Sequence, residues 1–380
     1  MHTSTASTAR LQQHATRAVF FLPGFATAAW APLVPYARNR TGLDEASLGL
    51  ALLCLGTGSM LAMPLAGALA ARVGCRRVLL LTLMLAMSTL PLLTVAATPL
   101  TLGITLFVFG AGVGACDCIM NMQAVMVERD AGRPMMSGFH AFYSIGGAVG
   151  AAAMTVLLWV GMAPWVAVLL LVGGMAGVTV MAAPHWRRDR APDDAPMFAA
   201  PHGVVLLIGV MCFVAFLAEG VMLDWSAVFL HDVQGVPERQ AGVAFFVFAV
   251  AMTLTRLAGD RVITALGYAR AIFAGTVVAA TGFALATFGA GLTVALPGYA
   301  LIGIGCANVV PALFSLAGRQ KVMPESLAIP AVTTLGYAGV LAGPALIGFV
   351  AHASSLVVAF CLAMAALLLV GLLGQRAARA

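Results

Sequence analysis

The chain has 380 residues, of which 62% are hydrophobic and only 9% charged, with a formal net charge of +6. A soluble domain carries about 25% charged residues, so this composition excludes a water-soluble globular protein and makes lipid the natural solvent. The positive balance does not point to nucleic acid, because Arg and Lys sit in short connections between apolar runs.

In lipid every backbone N–H and C=O must be paired internally, which leaves helices or closed barrels. The apolar runs are long, unbroken and rich in Gly, Ala, Leu and Val, without the alternating polarity of barrel strands. A crossing helix needs about 20 residues. Taken in chain order, the runs predict twelve spans, at 17–37, 46–71, 77–97, 100–126, 136–159, 163–183, 203–230, 240–259, 270–290, 293–317, 328–351 and 354–374. The first follows a polar stretch and shows no small-residue cleavage site, so it reads as a span and not as a removable signal.

Orientation follows from Arg and Lys in the loops. With the amino terminus in the cytoplasm, only Arg38, Arg40 and Arg239 of the 20 basic residues fall outside, and Arg256 counts with the inside loop cations. Both termini are thus expected in the cytoplasm of a multi-pass protein of the bacterial inner membrane. The longest polar stretch, 185–202, reads as a cytoplasmic linker between two six-helix bundles, 1–184 and 203–380. Six of the seven cysteines lie in apolar runs, and the Cys116–Cys118 pair fits no four-ligand metal spacing. No disulfide, metal or cofactor is expected.

The halves look like copies. Gly42–Gly49 matches Gly235–Gly242 at an offset of 193, Gly112–Asp117 matches Gly303–Asn308 at 191, Trp30 pairs roughly with Trp225, and Tyr143 lies near the counterpart of Tyr337. A parallel duplication of six helices suits two bundles that rock about a central site.

On these residues the chain resembles the major facilitator superfamily over its whole length. The diagnostic loop G-x-L-a-D-r-x-G-r-k is approximated by Gly67-Ala-Leu-Ala-Ala-Arg72-Val-Gly74-Cys-Arg76-Arg77, with Ala71 at the aspartate position. The second copy, Gly259-Asp260-Arg261 with Gly267, keeps the Asp–Arg pair. These loops are expected to gate the cytoplasmic ends. Asp117–Asn121 with Glu128, Gly138–Ser144, Asn308–Phe314 and Thr334–Tyr337 resemble the YbjJ-like branch, related to fucose-type permeases. The resemblance implies a monomeric carrier of a small molecule, with spans one, four, seven and ten lining the cavity.

Ionisable residues at membrane depth are expensive and mark function. Three carboxylates fall there: Asp117, Glu219 and Asp224. At 1.5 Å per residue, Asp117 lies ~25 Å along span four and Glu219 ~24 Å along span seven, both near the midplane. Each can carry a coupling proton or be locked in a helix–helix hydrogen bond; for Glu219 the structural partner would be a span-ten group such as Asn308. His140, at a depth similar to Asp117, can pair with it or simply pack. Asp224 either faces a vestibule or snorkels. Asn121 and Asn308 offer amides to a solute, and Asn308 reads as the repeat counterpart of Asp117. Trp30, Phe25, Tyr143, Trp225 and Tyr337 can stack on a ligand or anchor helix ends.

The expected function is proton-coupled secondary transport of a sugar, polyol or small organic acid through Glu219 and Asp117. A drug or metabolite efflux antiporter is the alternative. The Gly–Pro pattern Gly339–Pro344 argues weakly for it, since it falls in span eleven while span five has Gly146, Gly147 and Gly150 without proline. Small residues at helix contacts explain both patterns equally. A solute sensor would need an output domain, and nothing of that size lies outside the apolar runs. No phosphate loop, zinc motif or nucleophile elbow marks an enzyme.

Overall fold

The apolar runs form helices whose ends follow local chemistry. The computed structural model describes residues 2–43, 45–189, 199–236, 242–289 and 291–379. Its α-helices are α1 (His2–Trp30), α2 (Val34–Thr41), α3 (Glu45–Val73), α4 (Cys75–Leu92), α5 (Pro99–Ala131), α6 (Met136–Trp159) and α7 (Pro164–Ala182), then α8 (Gly203–Asp232), α9 (Val243–Leu266), α10 (Tyr268–Phe288), α11 (Leu292–Cys306), α12 (Val309–Arg319), α13 (Glu325–Ala353) and α14 (Leu356–Arg379). Twelve helical stretches among the described residues are long and apolar enough to cross a membrane. α1 with α2, joined by the one-turn 3-10 helix Ala31–Leu33, make one such stretch, and α11 with α12 make another.

α5 shows how the ends are set. Thr98 Oγ1 accepts from the Thr101 N–H at 3.2 Å, and the Thr98 N–H donates to Thr101 Oγ1 at 3.1 Å. Pro99 opens the helix, where its missing N–H costs nothing. At the far end Gly132, at φ 63°, closes the last turn onto the Glu128 and Arg129 carbonyls. α1 begins well before the apolar run expected at 17–37, because the polar stretch ahead of it contains no stop signal. Thr16 Oγ1 there bonds back to the Gln12 carbonyl at 2.8 Å.

The chain divides into two compact units. The first comprises Met1–Gly132, Phe142–Ala199 and Glu325–Pro330; the second comprises Arg133–Ala141, Ala200–Pro324 and Ala331–Ala380. Each holds the bulk of one sequence half plus a short helix start from the other.

In unit 1 the lack of a side chain at Gly110 lets α5 lie against the α3 backbone; a Cβ there would fall 2.7 Å from the Leu55 carbonyl carbon. Ser59 Oγ ties the same crossing by donating to the Gly110 carbonyl at 2.8 Å. In unit 2, Gly303 lies against the Phe248 backbone of α9 in the same way. Likewise Gly112 meets Ala86 of α4, and Gly305 meets Ala279 of α10. Gly110 with Gly303, Leu55 with Phe248, Gly112 with Gly305 and Ala86 with Ala279 all differ by 193. The repeat register along these helices is thus 193, not the 191 expected from sequence, and Asn308 is not the counterpart of Asp117. The glycines that open the two copies of the first repeat, Gly42 and Gly235, share a left-handed φ of 67° and 70°; Asp44 and 237–241 lie outside the described residues.

The core of unit 2 centres on Phe229, Phe283 and Phe360. Phe229 and Phe360 stack at 4.2 Å, and Phe283 meets Phe360 edge-on at 5.8 Å. Outward positions are apolar as well, Leu65, Trp159, Met181 and Phe349 among them, as a lipid-facing surface requires.

The segment after α7 is stitched onto unit 1. Trp186 Nε1 donates to the Ala15 carbonyl at 3.0 Å, the Arg187 N–H to Gln123 Oε1 at 3.0 Å, and the Arg76 N–H to the Arg187 carbonyl at 2.9 Å. The Arg187 guanidinium bridges Asp130 and Asp189. The rest of the expected linker, 190–198, lies outside the described residues. Arg187 holds the Asp189 carboxyl below its ordinary value of 3.8 by a hydrogen bond. The stabilisation is therefore present above that value and lost as pH falls through the lowered one. Because Asp189 is half exposed, Arg187→Gln should cost no more than about 1 kcal/mol through this pair. Thermal unfolding of the two proteins checks this: the part of the difference owed to Asp189 should vanish in acid.

Candidate functional site

Glu219 lies in the middle of α8, a helix otherwise almost wholly apolar. A carboxylate there needs a counter-charge or a proton, and the fold supplies the former. Arg256 Nη2 donates to Glu219 Oε1 at 3.2 Å and to Oε2 at 3.4 Å. Both side chains are mostly buried, with 8% of Arg256 and 18% of Glu219 exposed. Arg256 sits mid-helix in α9, not among loop cations as the sequence reading placed it. Its Nε donates to the Ala307 carbonyl at 3.1 Å. That carbonyl lies at the break between α11 and α12, where the helix is interrupted at Ala307 and Asn308.

Asn308 itself adopts φ −108°, ψ 0° and is buried. Its Oδ1 has no hydrogen-bond partner among the described residues. Gly259 of α9 makes room for it: a Cβ there would collide with Asn308 Oδ1 and lie 2.6 Å from Ser137 Cβ. Ser137 is likewise buried with an unpartnered hydroxyl. Next to it, the Gly138 N–H, in the first turn of α6, donates to both Asp260 oxygens at 3.2 Å. A carboxylate at a helix start satisfies an orphan donor and complements the helix dipole. His140, two residues further along α6, is buried with its ring 5.8 Å from that of Phe314.

Unit 2 thus gathers Glu219, Arg256, Asn308, Asp260 and His140. The sequence reading missed Arg256. The signal was available, because an intramembrane Glu219 requires a cation at similar depth and Arg256 stands inside the apolar run 243–266. Asp117 is buried on α5 in unit 1, and His140 is buried on α6 in unit 2. Asn121 Nδ2 donates to the Asp117 backbone carbonyl at 2.8 Å, so this amide proton closes its own helix turn.

The aromatic candidates are also distributed. In unit 1, Trp30 is buried at the end of α1, its ring N–H without an acceptor among the described residues. Phe25 packs on Phe21 at 5.5 Å, and the Tyr143 carbonyl lies against Gly24. In unit 2, the Trp225 ring N–H also lacks an acceptor among the described residues, and the ring lies beside Gly348 of α13. Tyr337 meets Phe216 at 6.0 Å. Asp224 is exposed on α8, with no ion-pair partner among the described residues.

The residues expected to gate differ in their contacts. Gly67 receives the Pro330 ring, whose Cβ would lie 2.8 Å from an added side chain. Gly74, at φ 87°, opens α4. Arg72 and Arg261 are exposed, and Arg76 is half-buried. Asp260, within α9, accepts from the first turn of α6 in unit 2. In unit 1, Arg129 meets Glu325 at 2.7 Å. Gly146 and Gly150 pack against the backbones of Phe21 and Phe25, and Gly339 against Phe213. These glycines therefore serve close helix contact. Among the described residues no three His, Cys, Asp or Glu cluster to hold a metal ion.

The sequence profile of the Major Facilitator Superfamily matches residues 18–327. An uncharacterized MFS-type transporter of Yersinia pestis is 51% identical over 355 residues, covering 93% of this chain and 92% of that protein. The fold is similar to that of the E. coli fucose:proton symporter FucP, with a TM-score of 0.79 at 14% identity over 97% of this chain and 99% of the other. It is also similar to that of the human organic anion transporter MFSD10, with a TM-score of 0.76 at 19% identity over 96% and 99%.

Proposed function

This chain belongs to the Major Facilitator Superfamily, a family of transporters and not of enzymes, and we propose that it carries a small polar solute across the inner membrane of a bacterium with Glu219 as the proton-coupling group. The buried Glu219–Arg256 pair supports this reading most directly. An ion pair withdrawn from water is weak evidence for stability and better explained as a device with two states. With Glu219 ionised, Arg256 is satisfied internally. With Glu219 protonated, the guanidinium keeps the Ala307 carbonyl but is released toward an anionic or hydroxylated solute, and Asn308 Oδ1 accepts a hydrogen bond from it. Loss of the proton restores the pair and drives the solute off.

Within the class of sugars, polyols and small organic acids, a buried guanidinium favours a solute bearing a carboxylate. Asp117, buried in unit 1, is a second proton site. The carrier works as a monomer by alternating access. Two proteins of similar fold, a fucose:proton symporter and an organic anion transporter, fall within this range, and the likeness to them is of fold alone.

The test begins with a thermal-shift screen of the detergent-purified protein against sugars, polyols and organic acids. A ligand at 100 times its Kd stabilises by about 2.7 kcal/mol. With a hit in hand, solute uptake into vesicles driven by a pH gradient is compared for the unmodified protein and Glu219→Gln. The variant should lose gradient-driven accumulation yet keep solute exchange. Unchanged accumulation would remove Glu219 from the coupling mechanism.

A further inference from the structure

Each unit carries an arginine-lined cavity, and the two occupy equivalent places in the repeat. In unit 1 a cavity of about 330 Å³ is lined by Val73, Arg76, Arg77, Leu80 and Arg188. In unit 2 a cavity of about 520 Å³ has Leu266, Gly267, Tyr268, Arg270, Arg319 and Arg379 in its lining. Val73 with Leu266 and Arg77 with Arg270 stand at the repeat offset of 193, and Arg188 with Arg379 at 191. The backbone repeats too. Gly74 and Gly267 precede α4 and α10 at φ 87°, ψ 151° and φ 75°, ψ 162°.

The arginines lack counter-charges. Arg76, Arg77, Arg188, Arg270 and Arg379 have no ion-pair partner among the described residues, and Arg319 lies 4.8 Å over the Tyr268 ring. Asp189, the nearest acid in sequence, is engaged by Arg187 at 2.7 Å. Arg76 and Arg77 occupy the first turn of α4, where the helix dipole disfavours cations. An anion placed among them would satisfy the cations and the helix start together.

What lies beyond each cavity indicates the anion's source. From Arg77 the exposed face of α4 continues through Leu81, Met84 and Ser88, and from Arg270 that of α10 continues through Ala274, Val277 and Thr281. These are the same positions in the 193 register. Each basic cavity thus lies at the end of a largely apolar exposed stripe, whose hydroxyls Ser88 and Thr281 bond back to the Leu85 and Val277 carbonyls of their own helices. A soluble phosphate would need only the cations, whereas an amphiphile uses the stripe as well.

We propose that each bundle binds one anionic phospholipid here, its headgroup phosphate held by Arg76, Arg77 and Arg188 or by Arg270, Arg319 and Arg379, and its acyl chains on α4 or α10. Basic pockets at the ends of membrane helices are suited to such headgroups.

The experiment is native mass spectrometry of the full chain released from nanodiscs of equal phosphatidylglycerol and phosphatidylcholine. Two retained phosphatidylglycerols are expected. The pair Arg77→Gln with Arg188→Gln should lose one, and Arg270→Gln with Arg379→Gln the other. Each pair should bind about thirtyfold more weakly. Equal retention of the two lipids, or retention unchanged in both variants, overturns the proposal. A parallel thermal-shift titration on the unmodified protein keeps the test independent of variant folding. Phosphatidylglycerol should raise the transition, while inorganic phosphate or phosphatidylcholine should not. Stabilisation by inorganic phosphate equal to that by the lipid would mark a soluble-anion site and overturn the lipid assignment.

Discussion

Replacing Glu219 by leucine should destabilise the protein by about 3–5 kcal/mol, and replacing Glu219 and Arg256 together by leucine should cost much less. The single change removes the paired carboxylate from a guanidinium that is only 8% exposed. Arginine cannot shed its proton, so the burial cost cannot be relieved by neutralisation. The complementary single change, Arg256→Leu, leaves a carboxylate that can neutralise itself by taking a proton, and should cost less than Glu219→Leu. It also frees the Ala307 carbonyl, which accepts from Arg256 Nε at 3.1 Å. The double variant loses the pair and the desolvation of both charges together. Chemical unfolding in detergent, arranged as a double-mutant cycle, measures the coupling directly. Additive single-variant losses would mean that the two residues do not stabilise one another. Gradient-driven accumulation should be lost in all three variants whatever their stability, because coupling in the proposed switch requires both groups.

Gly303→Leu should be the most damaging change away from the polar site, lowering stability by about 3 kcal/mol or more. A Cβ at Gly303 would lie 3.0 Å from the Met252 nitrogen and 3.2 Å from the Phe248 carbonyl carbon, both backbone atoms of α9. Backbone within a helix cannot yield as a side-chain tip can, so α9 and α11 must separate. That separation would also disturb Arg256 and Ala307, which span the same pair of helices. Gly110→Leu in unit 1 should behave alike, since its Cβ would fall 2.8 Å from Leu55 Cα. Thermal unfolding of each variant is the check. A transition within a degree or two of the unmodified protein would show that these crossings tolerate a side chain. Gly173, where an added Cβ meets nothing within 4 Å, serves as the control position and should accept leucine at little cost.

Hydropathy alone was enough to find the spans, because a residue's preference for lipid is a local property that sums along the chain. The repeat was also legible, through Gly42 with Gly235 and Trp30 with Trp225. Its register was not. Glycines at 110, 112 and 114 offer two alignments with Gly303 and Gly305 that match equally well as letters. Only the contacts with Leu55 and Phe248, and with Ala86 and Ala279, distinguish them, because those contacts join residues far apart in the chain.

Glu219 was recognisable as a charge out of place, and Asn308 as a polar group in an apolar run. Arg256 was assigned to a loop because an arginine near the end of a hydrophobic stretch has the same local sequence whether it snorkels to water or turns inward. Composition and periodicity determined that this chain is a duplicated twelve-span membrane protein with carboxylates at depth. Tertiary structure decided which cation answers Glu219, since pairing depends on how α8, α9 and the break before α12 come together, and no local pattern records that distance.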